Sequence, residues 1–239
     1  MHSLAVRISD GRGAYTQTLQ LTEGNQAHFT GPVTAANGVT RQIIINALLA
    51  HDGDALDLQY QLELSGGQKA EGRSVQVQSE VHIGPGDEIT VVRCGPWTVT
   101  LGLDAKPGAK PRSAAWTIPG LPNYRLTANM RAAGSKEQCV LIGRAASQSN
   151  IMDGLRQRGK KYGYILNTLF APGDGGKFSL QYQTELGFSS AAKTVQTQNE
   201  VMLTLNKRQA FSGQDYALDF LLEDGAPAKK ADGGKKGKP

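Results

Sequence analysis

Cysteine is scarce in this chain. Cys94 and Cys139 are the only two among 239 residues, too few for the disulfide framework of a small secreted domain. Neither lies in a CxxC spacing, which excludes the common zinc-binding and dithiol redox motifs. Two interpretations of the pair stay open. The cysteines are either unrelated thiols that pack as small hydrophobic groups, or a single bridge between the two halves of the chain.

Long apolar runs are lacking as well. No segment approaches the run of about 18 apolar residues that a membrane-spanning helix needs, so we expect no transmembrane helix. The first seven residues, Met1 to Arg7, have neither the charged n-region nor the apolar h-region of a signal peptide. The compartment is therefore left open. It is the cytoplasm, or the periplasm or cell envelope if a signal peptide has been removed.

Positive charge is concentrated at the C-terminus. The chain carries a net charge of +5, and residues 225–239 contribute +4 of it through five lysines and Asp232. The remaining +1 does not indicate the basic groove that nucleic acid requires, and no specific nucleic-acid motif is present. The same tail has four glycines and two prolines. We therefore predict that residues 225–239 are disordered and that any polyanion contact is made there.

Patterns typical of catalytic and metal sites are missing. The histidines His2, His28, His51 and His82 show no metal-ligand spacing, and no nucleophile–base arrangement or paired carboxylate stands out. We expect a protein that is not an enzyme, with no catalytic residue, cofactor or metal. Glu80 and His82 share one side of a predicted strand, where we expect a solvated sheet face.

One basic cluster lies in the body of the chain. Its members are Arg156, Arg158, Lys160 and Lys161, and the first half has no counterpart to them. The cluster is either a solvated loop or a binding site for an anionic partner.

The strongest feature that the sequence does contain is an internal repeat. Residues 58–64 (LQYQLEL) recur as residues 180–186 (LQYQTEL), and residues 75–81 (VQVQSEV) recur as residues 195–201 (VQTQNEV). Upstream, INALLA at 45–50 pairs with LNTLFA at 166–171. A spacing near 120 residues is the size of a whole small domain and too long for a solenoid unit.

The repeat defines the expected domain organisation. We predict a first β-domain over 3–104, a Pro/Gly linker over 105–123, a second β-domain over 124–224 and the tail over 225–239. The domains follow the matched blocks, and the linker holds four of the ten prolines. Proline fixes φ and donates no hydrogen bond, which favours a semi-rigid connection.

Apolar and polar residues alternate strictly in the repeated blocks. Leu58, Tyr60, Leu62 and Leu64 fall on one side and glutamines on the other, which is typical of a half-buried strand. Turn signals separate seven or eight such strands in each half. We therefore predict a mainly β fold built from two tandem, homologous, antiparallel sandwich-like domains. The best helix candidate is the segment 150–158, which Asn at its start would cap.

The polar sides of these strands are rich in glutamine. The expected partner-binding residues are Gln59, Gln61, Gln76, Gln78, Gln181, Gln183, Gln196 and Gln198. Two functional hypotheses follow. The first is a non-enzymatic structural or assembly protein of a bacterial envelope or a larger particle, which binds protein partners or itself through duplicated surfaces. The alternative is a module that binds a glycan or another ligand on these faces or in a groove between the domains.

Three segments of the first half resemble a known family. Thr16–Ala27, Asp54–Leu58 and Gly86–Val92 look like successive strands in the β-domain of type II/III secretion secretins, the outer-membrane channels of bacteria. The resemblance spans roughly residues 15–103 and departs in the second half, where Cys139–Gly143 stands at the expected glycine-alanine turn. The periplasmic N-domains and the membrane-spanning hairpins of that family are missing, so the resemblance implies a soluble envelope relative and not a pore.

Overall fold

The computed structural model describes residues 1–52, 55–66, 73–104, 122–132, 135–157, 160–188, 193–213 and 216–225. Within these ranges the chain forms two antiparallel sheets of eight strands each, which confirms the predicted mainly β, two-sheet sandwich-like fold. The predicted linker up to residue 121 and the predicted disordered tail from residue 226 lie outside the described residues.

The first half of the chain supplies eight strands. They are β1 (His2–Ser9), β2 (Ala14–Leu21), β3 (Gln26–Thr34), β4 (Thr40–Asp52), β5 (Ala55–Ser65), β6 (Arg73–His82), β7 (Glu88–Cys94) and β8 (Trp97–Leu103).

The second half supplies eight more strands and one 3-10 turn, Asp174–Gly176. The strands are β9 (Asn123–Ala132), β10 (Ser135–Arg144), β11 (Gln148–Gln157), β12 (Lys160–Pro172), β13 (Lys177–Phe188), β14 (Lys193–Thr204), β15 (Arg208–Ser212) and β16 (Tyr216–Asp224).

The predicted helix over 150–158 is wrong, because its described residues, 150–157, belong to β11. Ile151 and Asp153 are buried while Met152 between them is exposed, so the segment buries alternate residues with the period of a strand. Both edges of β11 are paired, with β12 on one side and β6 on the other. Strand pairing on both sides outweighs a local capping signal, which illustrates how tertiary context overrides propensity.

Each sheet contains strands of both halves. Sheet I has the order β15-β16-β9-β10-β7-β8-β1-β2, and sheet II has the order β14-β13-β12-β11-β6-β5-β4-β3. The halves therefore join edge to edge within each sheet. We call this joining region the junction: β10 pairs with β7 in sheet I, and β11 pairs with β6 in sheet II.

One hydrophobic core runs through the junction between the two sheets. Leu58, Leu64 and Trp97 of the first half and Leu180 and Phe220 of the second half are wholly buried in it. The core is continuous because each sheet turns the apolar residues of all eight strands inward. Burial of such side chains is the main favourable term in folding, so the two halves stabilise each other.

The sheets approach each other closely at the junction. Ser79 of β6 and Ser149 of β11 are buried, and their hydroxyl oxygens lie 2.7 Å apart. Opposite them, β10 carries Gly143. A Cβ atom on this glycine would lie 2.5 Å from the Ser149 Oγ and 3.0 Å from the Ser79 Oγ. Only a residue without a side chain fits this close approach.

A buried ion pair ties the sheets together at the far end of the first half. The Arg41 guanidinium of β4 donates from Nη2 to the Asp10 Oδ2 at 2.9 Å, and both side chains are almost fully buried. The Asp10 carboxylate also accepts the backbone N–H groups of Arg12 and Gly13 at 2.8 Å each. Burial alone would raise the pKa of Asp10, but these donors outweigh burial and the pKa is lowered.

Candidate functional site: the amide face of sheet II

The eight predicted glutamines all lie on the outer face of sheet II. They belong to β5, β6, β13 and β14, and each is exposed or half-buried. Their neighbours along the strands, such as Leu58 and Leu180, are buried in the core. Register places Gln61 opposite Gln78 and Gln183 opposite Gln198. The structure thus pairs two of the four glutamines in each half with each other, while the other two stand opposite glutamates.

Three asparagines join these pairs into a single row. Successive cross-strand partners, from β4 to β14, are Asn46, Gln61, Gln78, Asn150, Asn167, Gln183 and Gln198. We call these seven side chains the amide row. It crosses seven adjacent strands and passes through the junction without interruption, and His28 of β3 stands opposite Asn46 at its end.

Hydrogen bonds connect neighbours along the amide row. Asn46 donates to the Gln61 Oε1 at 3.4 Å, Asn167 donates to the Gln183 Oε1 at 3.2 Å, and Asn150 donates to the Asn167 Oδ1. At the end of the row, the His28 Nδ1 lies 2.6 Å from the Asn46 Oδ1. An amide group both donates and accepts, so the row can continue its pattern into a bound partner.

Sequence reasoning missed the three asparagines. Asn46 and Asn167 occupy the same position in the repeated blocks 45–50 and 166–171. This shared position is the sequence feature that could have identified them. Asn150 gave no such signal because it was assigned to a helix. Its membership in the row follows only from the pairing of β11 with β6.

Two shallow depressions flank the amide row at matching places. The first, of about 450 Å³, is lined by Asn46, Gln59, Gln61, Gln78, Glu80 and Gln148. The second, of about 680 Å³, is lined by Asn167, Gln181, Gln183, Gln198, Glu200 and Gln148. Both linings therefore share an asparagine, three glutamines and a glutamate at equivalent positions, and Gln148 borders both depressions.

Core tyrosines lie beneath these depressions. Tyr60 and Tyr182 are 3% and 4% exposed, so their rings belong to the core and not to the outer surface. Burial raises the pKa of both tyrosines. Both phenols therefore remain protonated at neutral pH and serve as packing residues.

A buried polar cluster lies at the junction next to the first depression. The Arg144 Nη1 donates to the Glu80 Oε1 at 2.8 Å and to the Asp57 carboxylate, and His82 pairs with the same Asp57. The Asn123 side chain donates to the His82 carbonyl and accepts the His82 N–H, both at 2.8 Å. His82 is 3% exposed, so the expected solvated face is wrong at this position.

The chemistry of this cluster is that of a structural link. The Arg144 guanidinium faces two carboxylates and the His82 imidazole contacts one of them, so the carboxylate charges are compensated. Arg144 and Asn123 come from the second half, while Asp57, Glu80 and His82 come from the first. The cluster therefore fastens the two halves to each other. The position of His82 in the repeated block is taken by Met202 in the second half.

The two cysteines also meet at the junction. Cys94 of β7 and Cys139 of β10 are directly opposite each other and form a disulfide, with 4.2 Å between their Cα atoms. Of the two interpretations left open by the sequence, the bridge between the halves is the one the structure shows. The pairing depends on the register of β10 against β7, which no spacing in the sequence reveals.

The predicted anion-binding cluster is only partly placed by the structure. Backbone register sets Arg156 opposite Lys161 near the end of the β11–β12 hairpin, with Lys160 opposite Gln157. Arg158 and the other side chains of the cluster lie outside the described residues. In the described parts of the chain, no three or more histidine, cysteine or acidic side chains converge as metal ligands.

Comparison with known proteins gave no match to any protein-family model, curated protein or solved structure. Among the residues that the structure describes, no helix is long and apolar enough to cross a bilayer.

Proposed function

We propose that this chain is a non-enzymatic structural or assembly protein that binds a repetitive protein partner through the outer face of sheet II. The single observation that carries the proposal is the amide row. The same sequence of groups, Asn-Gln-Gln, occurs once on β4, β5 and β6 and again on β12, β13 and β14. A duplicated domain whose two copies share one sheet presents the same surface twice at a fixed distance.

The distance between the two surfaces follows from strand spacing. Equivalent groups are four strands apart, which corresponds to about 19 Å along the sheet. A partner with two identical subunits or a repeated segment at this interval would engage both surfaces at once. Simultaneous binding of two sites raises overall affinity far above that of either site alone, so moderate amide hydrogen bonds are sufficient.

Placement in a bacterial envelope or another large particle belongs to the same proposal. It is supported by the secretin-like pattern of residues 15–103, since secretin β-domains work as parts of envelope assemblies. The nearly neutral body of the chain also favours protein contacts over binding to nucleic acid.

A glycan-binding role is the second candidate, and the two matched depressions favour it. Each offers amides and one carboxylate, which are suitable partners for sugar hydroxyls. Stacking on an aromatic ring would strengthen such a site, but Tyr60 and Tyr182 turn their rings into the core. The flat row therefore suits a protein surface better than a sugar.

The test is to place charge on the row and follow partner binding. In the face variant, Gln61→Lys and Gln183→Lys interrupt both copies of the motif. In the control variant, Thr98→Lys and Thr127→Lys place the same charge on outward-facing positions of β8 and β9, two inner strands of sheet I. We expect complexes isolated from the native cells to lose this chain in the face variant and to keep it in the control.

Two outcomes decide between the candidates. If the folded face variant enters complexes as well as the wild type does, the amide row is not the binding surface. Loss of binding to an immobilised oligosaccharide array, with protein complexes unchanged, would instead support the glycan-binding role.

A further inference from the structure

We propose that copies of this chain associate head to tail, with the β2 and β3 edge of one copy pairing with the β14 and β15 edge of the next. This inference rests on the proposed assembly role and names one partner, a second copy. It uses the sheet edges, whereas the amide face binds other proteins.

The order of the strands is the first argument. Within sheet I, the first half has the order β7-β8-β1-β2 and the second half has the order β15-β16-β9-β10; sheet II repeats its order in the same direction. The halves are therefore related by a shift along the sheets. The junction joins β10 and β11 to β7 and β6. Their counterparts are β2 and β3 at one end and β15 and β14 at the other, and no other described strand pairs with their outer edges.

An interface of this kind does not close on itself. Two different surfaces meet at the junction, the β10 and β11 edge of one half and the β7 and β6 edge of the other. Each molecule exposes the equivalent of the first surface at one end and the equivalent of the second at the other end. Such heterologous contacts add subunit after subunit in a line. Open strand edges carry unpaired backbone N–H and C=O groups, which are templates for pairing with another strand.

Matching turns fix the register of this contact. Gly24 and Ala146 both have positive φ, and their N–H groups donate to the carbonyls of Leu49 and Phe170. Gly86 and Asn206 likewise have positive φ, and they donate to the carbonyls of Leu103 and Leu222. The turn residues before β3 and β11, Gly24 and Ala146, are thus 122 positions apart in the sequence. The turn residues after β6 and β14, Gly86 and Asn206, are 120 positions apart.

This register continues the amide row from copy to copy. At the junction Asn150 lies opposite Gln78, so His28 of one copy would lie opposite Gln198 of the next. His28 already contacts Asn46 at the end of the row. The exposed amide of Gln198 would then meet the imidazole, and the row would run unbroken through the array.

Burial at the ends of the molecule is the second argument. Val77, His82 and Ile151 are 1%, 3% and 0% exposed at the junction. Their counterparts Thr197 and Phe29 are half-buried, and Met202 is 48% exposed. The ends of the sandwich therefore leave open to solvent positions that a neighbouring repeat covers in the middle of the molecule.

The two depressions give the third argument. Ala146, Ser147 and Gln148 of β11 and the turn before it close one side of the first depression. The second depression has no described residues in the equivalent place. The counterparts of those three residues are Gly24, Asn25 and Gln26, which a neighbouring copy would bring to this position. The second depression becomes equivalent to the first only in the array.

Local differences make the contact between copies weaker than the junction. Gln17 stands at the place of Cys139, so no disulfide can form. Pro32 removes one backbone donor from the β3 edge. Leu21 and Asn199 replace the small Gly143 and Ser79, so the sheets must pack farther apart. We therefore expect reversible association that grows with protein concentration.

The experiment uses one blocking lysine at each end. Ala27 and Thr197 are half-buried at the open edges, while their junction counterparts Ser149 and Val77 are 1% exposed. A lysine at such an inward position disfavours strand addition, yet it can extend into solvent in the single molecule. The variants are Ala27→Lys and Thr197→Lys, with Thr98→Lys, on the outer face of the inner strand β8, as the control of equal charge.

Sedimentation equilibrium of the purified full chain, from micromolar to millimolar concentration, gives the result. The wild type and the control should rise in mass beyond a dimer. Each blocked variant should remain a monomer by itself, whereas an equimolar mixture should form a one-to-one dimer, because each variant keeps the edge that the other lacks. Thermal unfolding establishes that both variants fold.

Three results would overturn the inference: a wild type that stays monomeric throughout, a mass that stops at the dimer, or a mixture that does not associate. None of these results touches the amide-face proposal, which is decided by the Gln61 and Gln183 variant in native complexes. Conversely, loss of those complexes in the face variant leaves self-association of the purified chain unaffected.

Discussion

Removal of the disulfide at the junction should cost a large part of the stability of this protein. The bond joins Cys94 to Cys139, which are 45 residues apart in the sequence. Closing a loop of this length in the unfolded chain lowers its entropy enough to stabilise the folded state by about 4 kcal/mol. In sheet I, β10 and β7 pair at only three positions in register, so the bond contributes much of the connection there.

The perturbation is the double substitution Cys94→Ala and Cys139→Ala. Alanine is chosen over serine because it adds no hydroxyl that would be buried without a partner. Urea unfolding should show a free energy about 4 kcal/mol lower than that of the oxidised wild type. The reduced wild type should fall by nearly the same amount, and the double variant should not respond to reductant. Hydrogen exchange should increase at residues 92–94 and 139–141.

The reasoning fails if the wild type unfolds at the same urea concentration with and without reductant. It also fails if exchange increases equally in β4 and β5, far from the junction, since the bond should then act on the whole molecule and not on the joining strands.

Other predictions concern packing and charge. Gly143→Ala should lower the free energy of unfolding by about 1–3 kcal/mol through overpacking, while Gly102→Ala, whose new Cβ would meet nothing closer than 3.8 Å, should change it little; equal losses would contradict the close approach. Arg41→Met should cost about 3–5 kcal/mol in thermal or urea unfolding, because it leaves the buried Asp10 carboxylate uncompensated. Since the pKa of Asp10 is lower in the folded state, its contribution is complete near neutral pH and is lost as the pH falls below about 4. Asp10→Asn should flatten this acid dependence, and an unchanged profile would exclude the carboxylate as its source.

Short-range pattern was enough to predict the strands and the polar face. Alternation in LQYQLEL and VQVQSEV determines which side chains turn inward, because successive residues of a strand point to opposite sides. The sequence therefore predicted both the mainly β class and the position of Gln61 and Gln78 on one surface. At residues 150–158, by contrast, a capping asparagine suggested a helix, and this prediction was wrong for residues 150–157.

What the sequence by itself determined, then, is the set of strands, the inward face of each and the equivalence of the two halves. Only the tertiary structure decided that the halves share both sheets, that Cys94 meets Cys139, and that Asn150 links two glutamine pairs into one row. The physical reason is the separation in sequence of the residues that make each kind of contact. Strand identity follows from contacts between near neighbours, whereas edge pairing depends on which open strand is complementary to which other. Each half carries equivalent edges, and only the folded chain shows which of them meet at the junction and which remain open at the ends.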